Sequence, residues 1–320
     1  MEKNSLRIIF MGTPDFAVAS LRALVENRYN VVAVVTMPDK PMGRHGSVLQ
    51  SSAVKQYAVS VGLPVLQPEK LKDEAFLELL RSFHADLQIV VAFRMLPEVV
   101  WNMPPHGTFN LHASLLPQYR GAAPINWAIM GGETETGVTT FFLQHEIDTG
   151  AIIHQERLPI GPEDNAEVVH DKLMTMGAEL VLRTVDDILS DAVHPIPQDS
   201  LLVPSLKPAP KLFRENTQVD WQQTAAFIHN FIRGLSPYPT AWTTLVAPDG
   251  TSTALKLFES RVEEGNLSPG EIETDGKSYI YIGTREGVIS LLSLQLAGKK
   301  RMSVADFLRG HTQLDAFCLQ

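Results

Sequence analysis

The first 190 residues alternate short β-branched runs with amphipathic stretches, and this alternation restricts the fold more than any other feature of the chain. LRIIFM (6–11), NVVAVVT (30–36), LQIVVAF (87–93) and TFNLHAS (108–114) read as buried strands. Strands interleaved with helical periodicity are βαβ units, and such units build a parallel sheet. In the first unit Thr13 is placed to cap a helix, Pro14 fits its first turn, and DFAVASLRALVEN carries apolar residues at helical spacing. The turn reads MGTPDF and not GxGxxG, so the argument for a dinucleotide pyrophosphate does not apply, and no nicotinamide cofactor is expected.

At 320 residues the chain exceeds what one hydrophobic core usually organises. A helical stretch from about Ala166 to Leu189 closes the first half. HPIPQDSLLVPSLKPAPK (194–211), with five prolines and little periodicity, reads as a linker. Beyond it QQTAAFIHNFIRGL fits one amphipathic helix, and TAWTTL, ALKLFESRV, GEIETDG, SYIYIGT and VISLLSLQ follow between turn residues, the pattern of a small antiparallel barrel or sheet. The expected architecture is a Rossmann-like α/β domain with a parallel sheet over residues 1–193, a linker over 194–211, and a smaller, mainly β domain over 212–320.

With 44% hydrophobic and 20% charged residues, the composition excludes a disordered or fibrous chain. No apolar run reaches the roughly 18 residues of a membrane span, and MEKNSLRIIFMG lacks the basic-then-apolar layout of a secretory signal, so a cytosolic protein without a membrane partner is expected. The single cysteine, Cys318, supports neither a disulfide framework nor a Cys-based zinc site. A net charge of −9 runs against phosphate binding, but residues 207–320 carry 12 basic and 12 acidic side chains, so the whole excess lies before them. Residues 37–52, MPDKPMGRHGSVLQSS, read as a long surface loop with Arg44 and His45 near its tip.

The densest polar cluster is Asn110, His112 and Ser114. Alternate residues of a strand share a face, so Asn110 and His112 project together while Leu111 and Ala113 face the other way. The SLLP and YRG segments must leave the strand, which puts both polar side chains near its carboxyl end, where open α/β sheets bind ligands. A lone histidine more often satisfies backbone groups; two polar side chains on one face at a strand end support a functional reading equally well. HEIDTGAII (145–153) offers Asp148 before a Thr-Gly turn. That carboxylate either reaches a histidine or bonds its own backbone, and spacing leaves both open.

The stretch FNLHASLLPQYRGAAPINWAIMGGETETGVTTFF, with IDTG after it, resembles the signature of the 10-formyltetrahydrofolate-dependent formyltransferases. In that family Asn, His and Asp form the catalytic set, and the resemblance assigns those roles to Asn110, His112 and Asp148. It implies the reaction class and leaves the acceptor open among glycinamide ribonucleotide, a sugar nucleotide and an aminoacyl-tRNA. IIFMGTPDFAV, MPDKPMGR, PKLFRENTQVDW, SPYPTAW and LLSLQLAGKKRMSVADFL span almost the whole chain and are similar to the members that formylate methionine on the initiator tRNA. The resemblance thus implies 10-formyltetrahydrofolate as donor, methionyl-initiator tRNA as acceptor and an OB-like C-terminal domain that holds the tRNA; a monomer is expected. It also assigns folate binding to Ser114, Leu115, Leu116 and Pro117 and to Phe93, Arg94 and Leu96. FRMLP (93–97) departs from the Tyr-Gly segment that many relatives carry there.

Formyl transfer is acyl transfer, in which an amine attacks, an oxyanion develops and the folate nitrogen leaves with a proton. Asn110 would donate to the oxyanion, His112 would take or relay the proton, and Asp148 would set the histidine's charge and orientation. Neither a nucleophilic side chain nor a metal is needed. Candidate tRNA phosphate contacts are Arg44, Lys207, Lys211, Arg214, Lys299, Lys300 and Arg301, each of them individually open to being a solvated charge. Arg120 could meet a phosphate or the glutamate tail, or brace its loop. Trp221 and Trp242 read as core residues. A formyltransferase acting on a small amine is the nearest rival, and it would need neither the 37–52 loop nor the basic linker. The missing glycine fingerprint argues against an oxidoreductase, and the intact Asn, His and Asp set argues against an inactive RNA-binding scaffold.

Overall fold

The computed structural model describes residues 3–42, 48–311 and 313–319; Arg44 and His45 lie outside them. Two compact units are present, each assembled from three stretches of chain. The first comprises residues 1–121, 136–158 and 170–208, and the second 122–135, 159–169 and 209–320.

Up to residue 189 the strands are β1 (Arg7–Gly12), β2 (Asn30–Val35), β3 (Lys40–Met42), β4 (Val48–Gln50), β5 (Val65–Leu66), β6 (Leu87–Val91), β7 (Thr108–His112), β8 (Arg120–Gly121), β9 (Glu135–Phe142) and β10 (Ile152–Pro159). The helices are α1 (Asp15–Glu26), α2 (Ala53–Ser60), α3 (Glu74–Ser82), α4 (Glu98–Trp101), α5 (Pro124–Met130) and α6 (Ala166–Leu189). Seven of the strands form one sheet in the order β10-β9-β7-β6-β1-β2-β5. From β7 to β5 every neighbouring pair is parallel, while β9 runs antiparallel to β7. All five residues of β6 are buried, as a parallel strand covered on both faces requires.

The expected strand over 87–93 stops at Val91 because Ala92 takes a φ of 47°, which breaks the ladder. Thr13 does not cap α1. Pro14 occupies the cap position with no side-chain hydrogen bond, and the Thr13 hydroxyl, one residue too early, is buried without a partner. The segment 37–52 is not an irregular loop throughout: β3 and β4 pair antiparallel, Lys40 opposite Gln50 and Pro41 opposite Leu49. Just before that ladder, Lys55 (2.6 Å) and Gln67 (2.8 Å) donate to the Asp39 carboxylate and hold it below the usual carboxylate range.

After β11 (Pro208–Ala209), the second unit contains α7 (Ala225–Leu235), β12 (Ala241–Val246), β13 (Ser252–Glu263), β14 (Ile272–Thr274), β15 (Ile280–Gly283), β16 (Val288–Leu296), β17 (Met302–Ser303), α8 (Val304–Leu308) and β18 (Cys318–Leu319). The sheet order is β14-β15-β16-β13-β12-β18, with β17 on β16 and every neighbouring pair antiparallel. β12 alternates strictly, with Ala241, Thr243 and Leu245 buried and Trp242, Thr244 and Val246 only partly so. Trp242 is therefore not a core residue, in contrast to Trp221, which is. Ile228, Ile232 and Leu235 of α7 pack with Leu257, Ile289 and Leu291 of the sheet, and Met130 of α5 joins the same core. Among the described residues no helix is long and apolar enough to cross a membrane.

Arg233 of α7 is buried, and its guanidinium donates to the carbonyls of Gly161 (3.2 Å) and Asp164 (2.6 Å) and to Asn230 Oδ1 (2.8 Å). Burial lowers its pKa from the ordinary value, so these acceptors are what keep a charge tolerable there. Replacing Arg233 by Ala is expected to destabilise this unit by about 2–4 kcal/mol, because two carbonyls lose their donor, and calorimetry should show its unfolding transition moved to lower temperature.

Candidate active site

β7 delivers Asn110 and His112 to the carboxyl end of the parallel sheet on one face of the strand. His112 is buried, and its Nε2 lies 2.9 Å from the carbonyl oxygen of Tyr119. A carbonyl only accepts, so Nε2 carries the hydrogen and donates it. In the neutral ring Nδ1 is then the basic nitrogen, and it faces Asp148 Oδ2 at 3.8 Å. The same carboxylate oxygen accepts the backbone N–H of Gly121 at 2.9 Å. Phe141 of β9 closes the far side of the imidazole edge-on, with ring centroids 6.4 Å apart. The side-chain oxygen of Asn110 is buried with no hydrogen-bond partner. Leaving such an acceptor unpaired costs about 1–3 kcal/mol, which a ligand N–H would offset.

Three residues around these groups hold left-handed backbone conformations without being glycine: Ala92 (φ 47°), Tyr119 (φ 59°) and Asp148 (φ 56°). Each costs on the order of 1–3 kcal/mol, and strain of this kind concentrates where geometry serves a function. Ala92 ends β6, Tyr119 presents the carbonyl that orients His112, and Asp148 is the carboxylate itself.

Residues 6–185 match the family model described as formyl transferase, and residues 211–312 match that of the formyl transferase C-terminal domain. The chain belongs to the formyl transferase family. Among its relatives, the methionyl-tRNA formyltransferase of Parabacteroides distasonis is 66% identical over 318 residues, 98% of each chain. That of Bacteroides thetaiotaomicron is 61% identical over 320 residues, 99% of each. Among solved structures, WlaRD, a sugar 3N-formyl transferase, superposes with a TM-score of 0.63 at 19% identity, covering 92% of this chain and 99% of that one. An N-formyltransferase from Helicobacter canadensis gives 0.62 at 20% identity, covering 93% and 100%. At that distance the structures establish the fold alone.

In this formyltransferase the expected folate residues divide by what their side chains already do. The Ser114 hydroxyl is fully buried and donates to the Gln118 carbonyl at 2.7 Å, closing the loop after β7. Leu116 packs with Phe141 and Ile152, and Pro117 is buried, while Leu115 is partly exposed. Arg94 donates through both Nη atoms to the carbonyls of Glu69 and Pro68, so those two nitrogens are already engaged; burial lowers its pKa. Leu96 lies in a core cluster with Phe93 packed against it, and Met95 between them is exposed. What this segment leaves open is backbone and the Met95 side chain.

The basic candidates also differ from one another. Arg301 donates to Ser293 (2.8 Å), pairs with Glu259 and lies over the Phe258 ring, so it is anchored in the second unit. Lys207 is exposed at its side chain, while its backbone N–H and C=O bond Gln118 and Tyr119. Lys211 and Arg214 sit over the rings of Phe213 and Trp242, and Lys299 and Lys300 are exposed. Within the second unit Phe213, Arg214, Tyr238, Trp242, Lys256 and Gly298 line a groove of about 440 Å³.

Sequence reasoning missed the groups that hold the catalytic candidates: the Tyr119 carbonyl, the Gly121 N–H, Thr139 and Gln198. Thr139, opposite His112 on β9, donates to the Ser114 carbonyl (2.6 Å) and accepts from the Leu116 N–H (3.3 Å). A threonine within an apolar strand was the one available signal. Gly150 packs so closely on the Phe142 carbonyl that an added Cβ would lie 1.6 Å from its oxygen. Gly150→Ala is therefore expected to displace the 148–150 turn. Activity should fall by on the order of 10²-fold, the scale of a misplacement of about 1 Å, and a crystal structure of the variant should show the Asp148 carboxylate moved from His112.

Proposed function

We propose that this chain transfers the formyl group of 10-formyltetrahydrofolate to the free amino group of methionine carried on the initiator tRNA, giving N-formylmethionyl-tRNA for translation initiation. The observation that carries the reading is the 66% identity, spread over 98% of both chains, with a protein named methionyl-tRNA formyltransferase. Such coverage includes the C-terminal domain as well as the segment bearing Asn110, His112 and Asp148.

The donor supplies the formyl carbon; a C–N bond to the acceptor amine forms, and the bond to the folate nitrogen breaks. Asn110 fits this centre because its buried, unpartnered oxygen accepts from the attacking amine while its amide nitrogen donates to the developing oxyanion. His112 takes the amine proton at Nδ1, the nitrogen left basic by the Tyr119 carbonyl, and Asp148 stabilises the imidazolium that results. The proton is then returned to the leaving folate nitrogen. The folate lies along backbone of the 92–97 segment and beside Leu115, with Arg94 acting through its main chain.

In the same reading, residues 1–193 carry the catalytic domain, 212–320 bind tRNA and 194–211 connect them. Arg44, Lys207, Lys211, Arg214, Lys299 and Lys300 neutralise phosphate, and Arg301 orients the segment behind the two lysines. The chain acts as a cytosolic monomer, which sedimentation at working concentration tests.

The direct test is transfer of label from 10-formyltetrahydrofolate to methionine on initiator tRNA, with charged elongator tRNA, free methionine and a sugar amine as comparison acceptors. Label on the initiator alone is expected; label on the sugar amine would replace the proposed acceptor. His112→Ala is expected to lower kcat by about 10²–10⁴-fold and Asn110→Ala by about 10²–10³-fold. Removing Lys299 and Lys300 together should weaken tRNA binding and reduce the slope of log affinity against log salt by about one per lost phosphate contact, with folate affinity unchanged.

A further inference from the structure

Gln198 belongs to the proline-rich segment whose composition reads as a linker, yet it is only 3% exposed. Its carboxamide is used completely. Nε2 donates to the carbonyls of Asp148 and Gly150, each at 2.8 Å, and Oε1 accepts from Arg120 Nε (3.0 Å) and Nη2 (2.6 Å). Two residues earlier, Ile196 exchanges both backbone hydrogen bonds with Ile152 at 2.8 Å, which fastens the segment onto the start of β10. One side chain thus joins two pieces of chain that converge on His112. The first is the 148–150 turn, and the second is Arg120, next to the Gly121 whose N–H holds the Asp148 carboxylate.

The turn requires such support. Asp148 has a φ of 56°, a left-handed conformation that aspartate tolerates better than most side chains but still adopts at a cost, and surrounding hydrogen bonds hold it there. Both carbonyls that Gln198 binds flank that strained peptide, and both would otherwise be short of a donor in a partly buried site. Glutamate could still accept from Arg120 but has no N–H to give the carbonyls, and alanine could do neither.

We propose that Gln198 is a positioning residue for formyl transfer: by clamping the 148–150 turn and, through Arg120, the loop of Gly121, it holds the Asp148 carboxylate against Nδ1 of His112. The inference rests on the reading of Asp148 as the partner of His112.

The test compares the full-length parent with Gln198→Glu, Gln198→Ala, Asp148→Asn and the Gln198→Ala/Asp148→Asn double variant, measuring kcat, KM for both substrates and Tm. Gln198→Glu retains an acceptor for Arg120 but leaves two carbonyls without a donor, so Tm should fall modestly while kcat falls on the order of 10²-fold, with both KM values within about twofold. The double variant should be no slower than Asp148→Asn alone, because a residue that acts only through Asp148 has nothing left to position. Parental kcat in Gln198→Glu would overturn the proposal, as would multiplicative losses in the double variant. A raised KM at unchanged kcat would also overturn it, since that marks a substrate contact. An inactive Asp148→Asn beside a fully active Gln198→Glu would leave the role of Asp148 intact and sink only the clamp. An active Asp148→Asn would remove the reading beneath both.

Discussion

A backbone carbonyl cannot donate a hydrogen bond, and the contact between Tyr119 and His112 takes its meaning from that restriction. It fixes which ring nitrogen bears hydrogen in the neutral state and so which one is free to collect a proton beside Asp148. The decisive atom belongs to a loop and not to a side chain, so the loop's conformation becomes part of the chemistry. That loop is laced from several directions: Ser114 donates to Gln118, the Gln118 side chain bonds Ser205 and Lys207, and the Tyr119 N–H donates to the Lys207 carbonyl at 2.6 Å. The protonation pattern of one histidine therefore depends on a segment nearly 90 residues further along the chain.

The sheet contributes through the reversal of direction between β7 and β9. Parallel neighbours on one side of β7 create an open carboxyl edge; the antiparallel β9 on the other side places Thr139 opposite His112 and Phe141 against its ring. A parallel neighbour in that position would end at the same edge, and β9 instead arrives with residues able to tie the chain just after β7. Rigidity comes from ordinary hydrogen bonds here, and the strained residues Tyr119 and Asp148 are those that present an atom to the histidine.

Much of this was legible beforehand because parallel strands buried on both faces need continuous apolar runs, which chance rarely supplies. The long helix over 166–189 and the strands of the second unit could be read for similar reasons of period. Details that depend on a single atom could not. Thr13 has the chemistry of a cap but sits one residue before the cap position. Asp148 left two alternatives open, and its actual bond is to the N–H of Gly121, distant in sequence, while it also faces His112. Arg120 proved to brace, through Gln198. Gln198 itself was hidden by its surroundings, since prolines report a stiff backbone and carry no information about whether that backbone is packed.

Each unit is stitched from separated pieces of sequence, and this matters on the ribosome. Met130 of α5 is completed as a buried residue only by α7 and the strands after it, beginning about 90 residues later. At synthesis rates of roughly 5–20 residues per second, that interval lasts on the order of 5–20 s, during which Trp127 and Met130 exist while their packing partners have not yet been made. The apolar side chains of α5 are thus made well before the elements that bury them, and the core of the second unit closes only when the end of the chain has been synthesised.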